Sequence, residues 1–341
     1  MKKILLLLLI LISSIIFLIL SFYPRLYLVG IISVVVLAAF YMFAFKPGPK
    51  RYLYSVVLIV ILISFFHVGI YLDMKTYNYC FDNQEPLENT RWIKPRIFKI
   101  KEVDSLINNK IQEFNEKVIS QVYYLEDTFN IRLLTYHKNN NTNSMLILAG
   151  IHGDEYAGVF SIPEIMDNII KKGYSDWNFD IIYTVNPVGL VKFSHLNETG
   201  CDVNRDFNNF STLQSKMIKS LVDTSNYNLV LDLHEGPYSG SIVFINRYVN
   251  RALVNTIYEN LEKEKIRISE YSNKPETHLK YYTMNSFLAK KTNIRPLSSY
   301  LTEKKIISIA SESDVFEDDF NSRIRSHVVV FESIMNHLVN D

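Results

Sequence analysis

A chain of 341 residues with 36 basic and 35 acidic side chains has a formal net charge of +1, so bulk charge draws neither nucleic acid nor a strongly acidic partner. Its mean hydropathy of +0.05 averages two unlike materials, a strongly apolar stretch over 1–72 and a mixed, polar remainder. The two cysteines, Cys80 and Cys201, are far apart and in different contexts, which reads as neither a disulfide framework nor a thiolate metal site, and they are expected to stay unpaired.

Three apolar runs, Ile4 to Leu20, Leu26 to Phe45 and Leu53 to Leu72, each approach or reach the ~20 residues that cross a bilayer core as helix. None has a polar face, so they predict three transmembrane helices over 1–72 rather than core helices. Lys2 and Lys3 precede the first run and Lys46, Lys50 and Arg51 crowd the second break, whereas the first break holds only Arg25. Positive loops stay cytoplasmic, which puts everything after Leu72 outside. The start also reads as a secretory signal, although no small-x-small cleavage site follows; cleavage would still export the rest. His67 in the third run reads as a packed or snorkelling side chain.

Residues 73–119 are polar, with Pro86 and Pro95 early and a helix expected from Val103 to Ile119, and read as a stalk and lead-in segment. Over 120–341 short β-branched runs alternate with longer amphipathic ones. Strands are expected at Ile131–Tyr136, Ser144–Ala149, Asp180–Val185 and Leu229–Leu233, helices near Ala157–Lys171 and Ser211–Val222, and a closing helix at Asn321–Val339. The pattern predicts an α/β domain, a mixed sheet flanked by helices, with one substantial core.

Two strands end in chemistry. The run Leu146 to Gly150 leads straight into Ile151, His152, Gly153, Asp154 and Glu155, a His and a Glu three residues apart just beyond a buried strand. Sites in open α/β sheets lie there, and Gly153 is expected to let the backbone bend between the two side chains. The run Asn228 to Leu233 ends likewise in His234, 79 residues after Glu155. Two strand-end histidines and a glutamate make the three-ligand set of a catalytic Zn2+ site, with a fourth position left for water.

With these motifs the chain resembles the zinc carboxypeptidase family and its relatives, the succinylglutamate desuccinylases and aspartoacylases. Four segments carry the resemblance in order: Gly150-Ile-His152-Gly153-Asp154-Glu155, Asn186-Pro187-Val188-Gly189, Gly200-Cys201-Asp202-Val203-Asn204-Arg205-Asp206-Phe207, and Asp232-Leu233-His234. The resemblance implies that Asn204 and Arg205 hold the substrate's terminal carboxylate, where a guanidinium makes two parallel hydrogen bonds. It also implies a glutamate acting as general base towards zinc-activated water, for which Glu312, at the exit of an apolar run from Ile306, is favoured over Glu303 and Glu317. Asp232 faces the same way as His234, for support of the histidine or for structure. Where relatives carry an oxyanion-stabilising arginine this chain has His195, with Lys192 as a second candidate. The family's mobile tyrosine has candidates in Tyr281, Tyr282 and Tyr300, near Glu276, Thr277 and His278, and none is singled out. His137, His327 and His337 are expected to need only surface roles.

The resemblance thus implies a membrane-anchored, extracytoplasmic zinc metallocarboxypeptidase acting on peptides, peptidoglycan stem peptides among them. The alternatives are an aspartoacylase- or desuccinylase-like amide hydrolase and a non-catalytic membrane scaffold. Ligands and a base are all present, which favours the enzymes, since buried His and Glu are costly unless something such as a metal satisfies them.

Overall fold

A computed structural model describes residues 79–80, 100–113, 118–126, 129–136, 143–270 and 294–340. The three apolar runs expected to span a membrane lie outside the described residues, as do His137, Glu276, Thr277, His278, Tyr281 and Tyr282. Among the described residues no helix is long and apolar enough to cross a membrane.

In chain order the elements are α1 (Ile100–Glu113), β1 (Val118–Glu126), β2 (Phe129–Tyr136), β3 (Asn143–Ala149), α2 (Tyr156–Lys172), β4 (Trp177–Ile182), α3 (Pro187–Lys192), a 3-10 turn (Val203–Arg205), α4 (Leu213–Thr224), β5 (Leu229–Gly236), β6 (Ile242–Ile245), α5 (Arg251–Lys263), α6 (Leu297–Glu303), β7 (Ile307–Asp314) and α7 (Phe320–Asn340). The strands form one sheet in the order β1-β2-β4-β3-β5-β7-β6. Four central strands, β4, β3, β5 and β7, run parallel, and β1, β2 and β6 join antiparallel at the margins.

Central strands covered on both faces must be apolar on both. In β3, Met145, Ile147 and Ala149 face a core layer shared with α1, α2, α5 and α7, while Leu146 and Leu148 face a second layer built with α4 and α6. The strand after β3 in sequence lies on one side of it and β5 on the other. The winding therefore reverses at β3, and the carboxyl ends of β3 and β5 open onto the crevice such a reversal creates.

Several expectations shift. The helix expected over Val103–Ile119 stops at Glu113, and β1 follows as an edge strand. The strand expected over Asp180–Val185 is Trp177–Ile182, because the chain is already turning: Asn186 caps α3 by accepting from Gly189 N (2.8 Å), and Pro187 opens that helix. Neither β6 nor α5 was expected.

Two side-chain expectations are corrected. Cys80 and Cys201 are joined in a disulfide, with their Cα atoms 3.9 Å apart, because the fold lays the two residues antiparallel across a separation of 121 residues. His327 has no surface role. It shares a helical face with Val330, Phe331 and Ile334 and is fully buried, with Nδ1 2.9 Å from Ser311 Oγ.

Burial pushes the His327 imidazole down to about 3, against the small opposing pull of Glu155. The unfolded chain then binds one proton that the folded chain refuses, so this residue's contribution is complete above about pH 6.5 and is lost as pH falls towards 3. His327→Gln, which can still pair with Ser311, should flatten the pH dependence of unfolding free energy by about one proton, ~1.4 kcal/mol per pH unit, between about pH 4 and 6. Denaturant titrations across that range check it, and parallel curves for both proteins would refute it.

Candidate metal centre and catalytic site

The first ligand pair is set by how β3 ends. Gly150, at φ +64, takes the chain out of the strand in a conformation that disfavours other residues. Gly153 is needed for closeness rather than for a bend: a Cβ there would lie 1.9 Å from the Gly189 carbonyl carbon. The start of α3 presses directly on this turn, and Gly153 N donates to Ser194 O at 3.0 Å.

Glu155 stands at the N-cap of α2 but does not cap it. Its Oε1 lies 2.7 Å from His152 Nδ1, its Oε2 lies 2.8 Å from His234 Nδ1, and Oε2 also accepts from Glu235 N at 3.1 Å. The structure thus brings together His152, Glu155 and His234, all buried, with one donor atom from each within 4.8 Å of the others.

The outer nitrogens are also engaged. Asp232 Oδ2 lies 2.8 Å from His234 Nε2, which makes orientation of the histidine its role. Asp202 Oδ1 lies 3.3 Å from His152 Nε2. That partner went unread in the sequence, although it stands two residues before Asn204. Each histidine therefore turns Nδ1 inward and offers Nε2 to a carboxylate, the arrangement that fixes ring orientation around a metal.

A further buried pair underlies these residues. Glu235 accepts from Ala157 N (2.8 Å), supplying the cap that Glu155 withholds, and from Ser313 Oγ (3.1 Å). Arg323 of α7 pairs with it at 2.5 Å. One carboxylate thereby joins β5, α2, β7 and α7 next to His234.

Electrostatically the centre calls for positive charge. Burial alone would push the His152 imidazole down, yet Glu155 and Asp202 carry it up to about 10, and Asp232 and Glu155 likewise hold His234 well above its usual range. Glu155 is held low against its own burial by the two histidines. Protons fill the role there that a dication would fill, and the donor set of two imidazoles and one carboxylate fits Zn2+.

Glu312 lies on β7 directly opposite His234 in the parallel register. It is partly exposed, and a Cβ on Gly236 would stand 3.1 Å from its Oε2. Burial raises its carboxyl to about 7, with Glu155 and Asp232 pushing the same way and His234 and His152 opposing, and that range suits a general base. Glu303 pairs instead with Arg295, Glu317 Oε1 accepts from Asp319 N, and Tyr300 donates to Asp223 on the α4 side.

His195 belongs to the cluster. Its ring stacks on His152 with centroids 3.6 Å apart, its Nδ1 lies 3.2 Å from Asp154 Oδ1, and its side chain is 33% exposed. Lys192 is exposed at the end of α3. Arg205, 39% exposed in its side chain, lies 3.8 Å from Asp202. Asn204 Oδ1 accepts from Leu297 N at 3.0 Å, which leaves its amide nitrogen for a ligand.

With this geometry in hand, residues 141–289 match the family described as succinylglutamate desuccinylase/aspartoacylase catalytic domain. Among solved structures, a Shewanella denitrificans protein assigned to the metallopeptidases is 14% identical, covers 72% of this chain and 97% of its own, and superposes with a TM-score of 0.57. A metallo-carboxypeptidase from Pseudomonas aeruginosa, in complex with (2-guanidinoethylmercapto)succinic acid, is 13% identical over 72% of this chain and 70% of its own, with a TM-score of 0.57. A metallo-carboxypeptidase from Burkholderia cenocepacia is 13% identical over 73% and 71%, with a TM-score of 0.52. At such identities the likeness is one of fold. No curated protein matches the sequence.

Two outcomes follow from the centre's electrostatics. His152 and His234 are both held above their usual range when metal-free, so protons must leave as Zn2+ binds. Affinity should therefore rise with pH, by about tenfold or more per unit between about pH 6 and 8. Chelator competition at several pH values measures this, and a flat profile would refute it. Asp202→Asn and Asp232→Asn should each weaken zinc binding about 10- to 100-fold while leaving the far-ultraviolet spectrum intact.

Proposed function

We infer, from the match of residues 141–289 to the succinylglutamate desuccinylase/aspartoacylase catalytic domain and from the site's geometry, that this chain is a zinc-dependent carboxypeptidase held at a membrane, with its catalytic domain outside the cytoplasm. The observation that carries the reading is the convergence of His152 Nδ1, His234 Nδ1 and the Glu155 carboxylate, with Glu312 opposite His234. His152, Glu155 and His234 would hold the metal. When bound, zinc polarises a carbonyl and brings the pKa of a water to about 7.

The chain's own groups do the rest. Arg205 and Asn204 grip the terminal carboxylate and so select the last peptide bond. Glu312 takes a proton from the attacking water, whose oxygen bonds to the amide carbon, and returns that proton to the departing nitrogen as the C–N bond breaks. His195, steadied by Asp154, donates a hydrogen bond to the carbonyl oxygen as it gains charge, the work of the arginine it replaces.

Placement outside the cytoplasm is supported by the apolar runs, by the lysines and arginines between them, and by the Cys80–Cys201 bond, since such bonds persist in oxidising compartments. Peptides met there include cell-wall stem peptides, and these are the proposed substrate class. A second reading, hydrolysis of N-acyl amino acids, is favoured by the description of the matching family. The two share every step above and differ in what lies on the far side of the amide.

The full chain in detergent, assayed on C-terminal peptides, stem-peptide fragments and N-acyl amino acids, separates them. One zinc per chain with release of a C-terminal residue supports the carboxypeptidase, and turnover of N-acyl amino acids alone would transfer the assignment to a deacylase. Glu312→Gln should keep its zinc and lose about 10²- to 10⁴-fold in kcat. Arg205→Lys should raise KM by roughly tenfold or more, because a point charge replaces a two-pronged grip.

A further inference from the structure

Tyr79 and Cys80 reach the site from far earlier in the chain, and every contact described for them falls on one loop. Cys80 is bonded to Cys201. Asp202 N donates to Tyr79 O at 2.8 Å, Tyr79 Oη donates to Asp206 Oδ1 at 2.7 Å, and Asn209 Nδ2 donates to Tyr79 Oη at 3.1 Å. Between these anchor points lie Asp202, whose carboxylate meets His152 Nε2, and then Asn204 and Arg205.

The loop's other margin has its own clamp. Arg295 N donates to Arg205 O, Phe207 N donates to Arg295 O, and Leu297 N donates to Asn204 Oδ1. The loop is thus held at two margins, and at the one beside Asp202 the residues Tyr79 and Cys80 join Asn197, whose N–H donates to Cys201 O at 2.9 Å and whose Oδ1 accepts from Cys201 N at 2.8 Å. Asp202 feels the first two directly, a crosslink on the residue before it and a hydrogen bond to its own peptide N–H. Its carboxylate meets His152 from this backbone position, with His195 Nε2 and Arg205 Nε each 3.8 Å from its Oδ2.

We propose that Tyr79 and Cys80 are positioning residues for the catalytic centre: they hold Asp202 against His152 and set Arg205 for the substrate carboxylate, so that metal affinity and substrate grip depend on the Cys80–Cys201 bond being closed. The proposal rests on the zinc reading above. It makes the centre complete only where that pair is oxidised. Opening the bond takes two electrons and two protons and yields two thiols; a phosphine reductant supplies the electrons, and water supplies both protons and the oxygen of the phosphine oxide formed.

The test uses the full chain in detergent, with zinc or with cobalt(II) in its place, in four forms: oxidised, phosphine-reduced, Cys80→Ser/Cys201→Ser, and Tyr79→Phe. Opening or deleting the bond should weaken metal binding about tenfold. KM should rise more than kcat falls, the visible cobalt spectrum should shift as His152 reorients, and reoxidation of the reduced protein should restore all three. Equal metal affinity, KM and cobalt spectrum with the bond open and closed would overturn the proposal while leaving the zinc reading intact. An oxidised wild-type chain that binds no metal would overturn both. If opening the bond abolishes the circular dichroism of the domain, Tyr79→Phe, which keeps the crosslink and frees Asp206 and Asn209 from the phenol, decides through the Arg205 side of the loop: a raised KM supports positioning, and a wild-type KM overturns it.

Discussion

Glu155 presents one buried carboxylate to two imidazoles and a backbone N–H at once. Taking such a charge out of water costs several kcal/mol unless its partners are already in place, and they come from different strands. β3 must end where His152 and Glu155 clear the sheet, and β5 must run beside it in the register that brings His234 level with them. The apolar layers on either face of β3 keep those strand ends from sliding, because a slip of one residue would turn every side chain to the wrong layer.

That demand on Glu155 passes outward. A residue at an N-cap usually serves the helix behind it, and α2 is deprived of this service because its cap residue faces the histidines. Glu235 replaces it from β5, and Glu235, itself fully buried, in turn requires Arg323. Asp232 and Asp202 do for the two imidazoles what Arg323 does for Glu235. The result is a set of buried polar groups, each with a charged or hydrogen-bonding partner and most of them joined across elements. Such networks are stiff when complete and costly when any member is missing. The stiffness lets three donor atoms wait in place for a dication instead of being gathered by it.

Much of this was legible in the chain itself. β3, β5 and α2 could be read because buried strands and an amphipathic helix write their pattern locally, and the three central side chains stand where the apolar runs stop. Glu312 was singled out by the family resemblance together with the strand leading into it. The rest depends on encounters that local pattern does not record. Asp202 and Glu235 look like ordinary acidic residues until β3 and β5 are laid side by side. His327 reads as a polar residue on a helix, and only the layer of helices beneath the sheet encloses it. The Cys80–Cys201 bond spans 121 residues with no signal at either end beyond the cysteines themselves. Gly153 was read rightly as necessary but for the wrong reason, since its constraint comes from Gly189 and Leu190 pressing on it rather than from its own torsion angles.

The reach of Arg323 into the strand ends bears on how the molecule is made. A ribosome delivers His152, Glu155 and His234 well before it delivers β7 and α7. Until then Glu235 lacks its counter-ion beside His234, and the register partner that brings Glu312 opposite that histidine does not exist. The growing polypeptide therefore holds all three prospective ligands while unable to arrest them in their final geometry. The geometry of the centre is therefore completed late in synthesis, and a truncated product ending before α7 would lack it.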